Sequence, residues 1–273
     1  MSPARNTTRI GRLFQTLKQE KRKGLIAYLT AGDPTPAHTP GLVAAMVRGG
    51  ADLIELGVPF SDPIADGPVI QRAGERALKA GTTLAIVLQI ARQIRANSEI
   101  PLLLFTYLNP VLAYGLERLA ADAAAAGIDG CLLIDASVEE AESYVAAMHR
   151  HGLDTVFLAA PTSTVRRIKL VAQYSTGFVY LVSRAGVTGV QDSLSSSLAP
   201  LIELVRSATD LPLAVGFGIS KPEHVGEIGR LAEGVVVGSA FVRLIEQHAA
   251  GPDLEARLEA FTRELKNGFG ANA

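Results

Sequence analysis

The stretch Leu53-Ile-Glu-Leu-Gly-Val-Pro-Phe-Ser-Asp-Pro-Ile-Ala-Asp-Gly-Pro68 joins a short apolar run, with one carboxylate in it, to a loop rich in Gly and Pro. The run reads as a strand covered on both faces, because its apolar residues are nearly continuous rather than alternating with polar ones. Side chains still alternate along a strand, so Leu53 and Glu55 share one face and Ile54 and Leu56 the other. An acid in such a place is costly to bury unless it is paired or used. The loop adds Ser61, Asp62 and Asp66, and with them a second carboxyl in a different environment. Two carboxyls in unlike surroundings are what acid/base chemistry usually needs.

The same unit, an apolar strand followed by a helix, recurs along the chain. Strands are expected at 25–30, 52–56, 101–106, 130–134, 154–158, 177–181, 213–216 and 235–237. Helical spacing runs through 39–47, 69–79, 83–96, 116–126, 138–149, 165–174, 198–207, 222–230 and 240–248. A further helix, 10–23, precedes the first strand, and an amphipathic one, 254–265, follows the last unit; 1–8 and 268–273 read as loose tails. Strands alternating with helices imply parallel pairing through right-handed crossovers. Eight such units in 273 residues, with no linker between them, predict a single-domain α/β fold. That fold is a (β/α)8 TIM barrel with an extra N-terminal helix and an inserted helical segment after strand 2. An open doubly wound sheet is the alternative. It would carry a Gly-rich phosphate turn after its first strand, where this chain has Ala31-Gly-Asp-Pro-Thr35.

Composition narrows the function classes. Hydrophobic residues are 48% and charged residues 19%, a balance that builds a sizeable core and excludes a mainly disordered chain. A net charge of -1 without a basic cluster argues against nucleic acid and against an anionic membrane surface. Cys131 is the single cysteine and sits in an apolar run, so it reads as a small buried hydrophobe. No apolar run has membrane-spanning length, and the polar start lacks the core of a signal peptide, so a soluble, cytoplasmic protein is expected.

In such a barrel the active site forms at the C-terminal ends of the strands. Those ends offer Tyr28 and Thr30, Glu55 with its loop, Tyr107 and Asn109, Asp135 and Ser137, Thr162 and Ser163, then Tyr180, Ser183, Arg184 and Thr188. The seventh offers Gly216-Phe217-Gly218 and the eighth Gly238-Ser239. Glycines there let the backbone approach a ligand, and free N–H groups at a helix start attract an anion. These two turns therefore read as a phosphate site, over which Val187-Thr188-Gly189 of the sixth loop closes. The glycines also serve as plain turns, and Asp66 reads equally as a turn former in Asp66-Gly-Pro68. If Glu55 faces into the barrel, desolvation raises its pKa, as a general acid requires. No lysine falls at a strand end, which disfavours Schiff-base or pyridoxal-phosphate chemistry in this chain. The five histidines fall on or beside helices, which disfavours a zinc or iron site.

Glu55-Leu-Gly-Val-Pro-Phe-Ser-Asp-Pro-Ile-Ala-Asp-Gly-Pro68 closely resembles the signature of the tryptophan synthase alpha chain family. Leu29-Thr-Ala-Gly-Asp-Pro34, Tyr180-Leu-Val-Ser-Arg-Ala-Gly-Val-Thr-Gly189, Gly216-Phe-Gly-Ile-Ser220 and Val237-Gly-Ser-Ala240 resemble its other motifs, in order, over about 10–248. The resemblance implies a lyase that splits indole-3-glycerol phosphate into indole and glyceraldehyde 3-phosphate. It implies Glu55 as the general acid/base, Asp66 as the loop carboxylate that accepts the indole N–H, and Tyr180 as the tyrosine beside the acid. Tyr28, Phe105 and Tyr107 match positions of the indole pocket. Gly189, Phe217, Gly218, Gly238 and Ser239 match phosphate binders, and Thr188 and Gly216 join the substrate-binding set. A beta chain that carries pyridoxal phosphate is the implied partner, in an α2β2 tetramer, so no cofactor and no metal is expected here. Ser137 stands where the family usually has proline, and Ala185 where it usually has serine. Two other functions compete: a stand-alone indole-releasing lyase, and a non-catalytic barrel that binds a phosphorylated ligand and activates a partner. The costly acid at Glu55 argues against the second.

Overall fold

The computed structural model describes residues 8–182, 194–216 and 218–270, with the backbone alone for 194–197. Eight parallel strands pair in sequence order: β1 (Gly24–Thr30), β2 (Leu53–Gly57), β3 (Leu102–Thr106), β4 (Gly130–Leu133), β5 (Asp154–Ala159), β6 (Val179–Val182), β7 (Leu213–Gly216) and β8 (Gly234–Val237). β8 returns to β1 and closes the barrel. α1 (Arg9–Gln19) precedes β1 and α2 (Thr39–Arg48) follows it. After β2 come α3 (Pro68–Lys79) and α4 (Leu84–Arg95), and after β3 come α5 (Leu108–Tyr114) and α6 (Leu116–Ala125). A 3-10 turn (Val138–Glu140) leads into α7 (Glu142–Arg150). α8 (Val165–Tyr174), α9 (Leu194–Arg206), α10 (Pro222–Gly229) and α11 (Ser239–His248) follow β5 to β8, and α12 (Leu254–Asn267) comes last. This is the expected (β/α)8 barrel, with its N-terminal helix and the helical insertion after β2.

Each strand divides its side chains between two cores. Ile26, Leu53, Leu103, Leu132, Val156, Phe178, Ala214 and Val236 fill the barrel, and Ile10, Phe14 and Leu17 of α1 plug its lower end. Ile54, Leu56, Leu102 and Leu104 point the other way, into the layer shared with the outer helices. Full burial of each such side chain contributes about 1.5–3 kcal/mol, so both faces of every strand are held. Register places Ile26 beside Leu53, and Tyr28 beside Glu55, which in turn pairs with Leu103. Glu55 is therefore on the interior face, one layer above Leu53.

Some boundaries differ from expectation for local reasons. α1 ends at Gln19 instead of running to 23, because Leu17 is its last core contact and Lys21 takes a positive φ of 53° to swing the chain into β1. The 138–149 helix is divided at Ala141 into the 3-10 turn and α7. α9 begins four residues early and carries Pro200 inside it. Thr8 caps α1, accepting from the Gly11 N–H at 3.0 Å and donating to Asp154 at 2.5 Å. Phe269 lies against Gly229. Ordered contacts thus reach into both stretches that the composition leaves as tails.

Candidate active site

β2 ends at Gly57, and a Cβ there would collide with the Tyr28 hydroxyl, so this glycine makes room for the ring that β1 carries. Tyr28 meets Phe105 of β3 edge-on, at 5.3 Å between ring centres and 76° between planes. Tyr180 of β6 leans across Gly216 of β7, where a Cβ would again strike the hydroxyl. These rings and Glu55 form the floor of a cavity of about 300 Å³ at the C-terminal end of the barrel. Its walls are Asp66 with Val69 and Ile70 of α3, Ile134 and Val236 at strand ends, and a polar side made of Gly218, Gly238, Ser239 and Arg243.

The two carboxyls sit in different environments, as the opening stretch suggested. Glu55 is 1% exposed, its Oε1 has no hydrogen-bond partner, and burial pushes its pKa up to about 8. Asp66 is half-buried on the loop; burial pushes it up to about 6, and a hydrogen bond with Tyr107 pulls the other way. Tyr107 also accepts from the Ala65 N–H at 3.1 Å and packs on Phe60 at 5.3 Å, while the Gln71 side chain donates to the Asp66 carbonyl at 2.9 Å. The loop is thus pinned on both sides of Asp66. Burial raises the phenols of Tyr28 and Tyr180 above their ordinary range, with Asp66 adding to the first and Glu55 to the second. Both hydroxyls therefore keep their protons at neutral pH.

The polar side is a helix start. The first turn of α11 is closed by Val242 N–H to Gly238 carbonyl at 3.2 Å, so the N–H groups ahead of it have no partner within the helix. Gly218 holds φ at 74°, a left-handed turn that favours glycine. α11 is clamped to α3: Arg76 is bidentate to the buried Asp33 at 2.8 and 2.9 Å and reaches Glu246 at 2.8 Å. Arg72 is bidentate to the same Glu246 at 2.7 and 2.8 Å. The helix that follows Asp66 and the helix that follows Gly238 are thereby fixed to one another.

Glu55, Asp66, Tyr180, Tyr28, Phe105, Gly218, Gly238 and Ser239 are brought together as expected from sequence. Tyr107 holds the Asp66 loop through its hydroxyl and, like Gly216 under the Tyr180 ring, is not on the cavity wall. Thr188, Gly189 and Phe217 lie outside the described residues. Sequence reasoning missed Val69, Ile70, Ile134, Val236 and Arg243. Strand alternation from Leu132 would have placed Ile134 inward, and Arg243 is one helical turn beyond Ser239. Among the described residues, no cluster of His, Cys, Asp and Glu is placed to hold a metal.

The family model for the tryptophan synthase alpha chain matches residues 14–269. The tryptophan synthase alpha chain of Solibacter usitatus is 82% identical over 266 residues, covering 97% of this chain and all of that one. That of Geotalea uraniireducens is 49% identical over 97% of this chain and 98% of its own. The crystal structure of the alpha chain from Legionella pneumophila superposes with a TM-score of 0.89 at 36% identity, covering 98% of this chain and 99% of that one. A chain of Mycobacterium tuberculosis tryptophan synthase gives 0.87 at 37% identity, with 96% and 98% covered.

Proposed function

The chain belongs to the tryptophan synthase alpha chain family, and on that basis we propose that its barrel mouth cleaves indole-3-glycerol phosphate to indole and glyceraldehyde 3-phosphate. A lyase role in tryptophan synthesis follows from the family. The reaction and the residue roles rest on the cavity's chemistry, above all on a buried acid, Glu55, with an unpartnered oxygen beside an open space.

In this proposal the indole ring lies between Glu55 and Asp66, against Tyr28 and Phe105, and the phosphate reaches Gly218, Gly238 and Ser239. Glu55, with its pKa near 8, is mostly protonated at neutral pH, and Asp66, near 6, is mostly ionised. Environment thus divides the two roles. Glu55 gives its proton to indole C3. Positive charge develops on the ring nitrogen, whose N–H donates to the Asp66 carboxylate. The Glu55 carboxylate next takes the proton of the hydroxyl on the carbon attached to C3. The bond between that carbon and C3 breaks, its electron pair returns to the ring, and the carbon leaves as the aldehyde. Glu55 ends protonated, ready for another turn, and Tyr180 packs beside it as a neutral hydroxyl. Asp66 never needs to move a proton.

The partner in this proposal is a beta chain, in an α2β2 tetramer that works in the cytoplasm, with pyridoxal phosphate on the beta side. The steps above use no cofactor of this chain. Ile64, 85% exposed, and Leu112, 61% exposed, follow β2 and β3 at the mouth and offer such a partner apolar contact. Steady-state release of indole from indole-3-glycerol phosphate, with and without an added beta chain, tests the proposal. The expected result is turnover that the partner accelerates. No indole under either condition sinks it.

A further inference from the structure

α11 opens on the cavity at Gly238 and Ser239, and Arg243 lines the same cavity one turn later. Side chains on a helix lean toward its N-terminus, so a long side chain four residues on covers the turn before it. Arg243 is accordingly built to lean toward the N–H groups at the start of α11. Its nearest acid along the helix face, Glu246, is already taken by Arg72 and Arg76. Among the described residues no carboxylate pairs with Arg243, and it is the only cation on the cavity wall. The same cavity carries Glu55 on its floor, buried with an oxygen unpartnered, and Asp66 on another wall, ionised at neutral pH. A dianionic phosphate that enters a cavity already holding the Asp66 carboxylate meets repulsion that uncharged N–H groups offset only in part.

We propose that Arg243 is the counter-charge of the substrate's phosphate, so that α11 binds it with backbone N–H groups and one guanidinium together. This rests on the proposed function, since a phosphorylated substrate is what brings the dianion to that wall. Arg243 does not touch the reacting carbon; it sets affinity and selects phosphorylated over unphosphorylated ligands.

Calorimetric titration of the full chain with glycerol 3-phosphate tests this with a probe that does not react. Arg243→Gln is expected to weaken glycerol 3-phosphate by roughly ten-fold, the loss of one charge-assisted contact at a solvent-facing site. Arg243→Lys keeps the charge and is expected to recover most of that loss. Added salt weakens the wild type more than Arg243→Gln, because a screened charge pair is what differs between them. Indole, which has no phosphate, binds both alike. In turnover of indole-3-glycerol phosphate the loss falls on KM far more than on kcat. The proposal is overturned if Arg243→Gln binds glycerol 3-phosphate within about two-fold of wild type, if it loses indole and phosphate together, or if the wild type does not bind the probe. A wild type that cleaves indole-3-glycerol phosphate while Arg243→Gln is unaffected removes this inference alone. A wild type that binds the probe through Arg243 but releases no indole removes the proposed reaction and leaves the anion site.

Discussion

Buried carboxyls stand at both ends of this barrel, in opposite circumstances. At the lower end Asp129 takes Arg9 at 3.1 Å, Arg95 at 3.0 Å and the Leu102 N–H at 2.8 Å. Asp154 takes Thr8 at 2.5 Å and Thr176 at 2.7 Å. Burial raises both, and those partners hold each of them back. At the mouth Glu55 is as deeply buried, yet burial acts on it with nothing to offset it. One end uses its acids to fasten α1 and the strand starts together. The other end leaves an acid protonated beside a cavity, a state that costs stability and is useful only when a ligand arrives.

The largest effect separating the two ends is catalytic. Glu55→Gln is expected to fold, to bind indole, and to lose roughly a thousand-fold or more in turnover, at the upper part of what a positioned general acid/base supplies. A rate within about ten-fold of wild type would remove Glu55 from the mechanism. Asp129→Ala should do the reverse. It leaves Arg9 with Glu99 alone, Arg95 with only the Gly127 and Ser98 carbonyls, and the Leu102 N–H without its acceptor, a loss of about 3–5 kcal/mol in urea unfolding, while kcat of the folded protein stays put. A small stability loss with a large kcat loss would mean that the two ends are not separable.

Asp66→Asn comes next. It keeps the shape and removes the charge that meets the developing cation, so kcat should fall roughly a hundred-fold. Wild-type kcat/KM should follow a bell with limbs near pH 6 and pH 8, from an ionised Asp66 and a protonated Glu55. In Asp66→Asn the limb near 6 should vanish and the limb near 8 remain. Both limbs persisting would show that the acid-side titration belongs to another group.

The smallest effect is on stability, and its sign is the opposite of the usual loss on mutation. Glu55 titrates near its ordinary value of 4.5 when unfolded and near 8 when folded. Between those values the unfolded chain binds fewer protons, so stability falls as pH rises. Replacing Glu55 by Gln removes that penalty and should stabilise the chain at pH 7, by an amount that grows as pH rises from 4.5 toward 8. The gain should disappear as pH falls below 4.5. Thermal unfolding at a series of pH values reads it directly, and a gain that does not depend on pH would point to packing instead.

Much of this comparison was legible in the residues. Continuous apolar strands with a helix after each read as a barrel, and alternation puts Glu55 on the face of Leu53; packing then shows that face to be the interior one. The split between Glu55 on a strand and Asp66 on a loop was visible for the same reason. α5 was not, because Asn-Pro pairs commonly sit in turns, yet Asn109 and Pro110 lie in a helix that runs to Tyr114 before Gly115 at φ 94°. Tyr107 reads from sequence as a pocket residue, and its hydroxyl is engaged with the Asp66 loop itself, accepting from the Ala65 N–H and hydrogen-bonding Asp66. The sequence suggests Gly216 as space for a ligand, whereas the structure gives that space to Tyr180. The lower network of Arg9, Arg95, Asp129 and Asp154 joins residues far apart in the chain, and no local pattern announces such pairs.

The measurement that bears most directly on the contrast between the two ends is the protonation state of Glu55 itself. Infrared titration of the ligand-free wild-type chain, with Glu55→Gln subtracted, isolates its carboxyl. The expected result is a protonated carboxyl band that persists through neutral pH and is lost near pH 8. Loss of that band near 4.5, the ordinary value, would mean that the mouth holds a plain carboxylate and that the acid step has no proton to give.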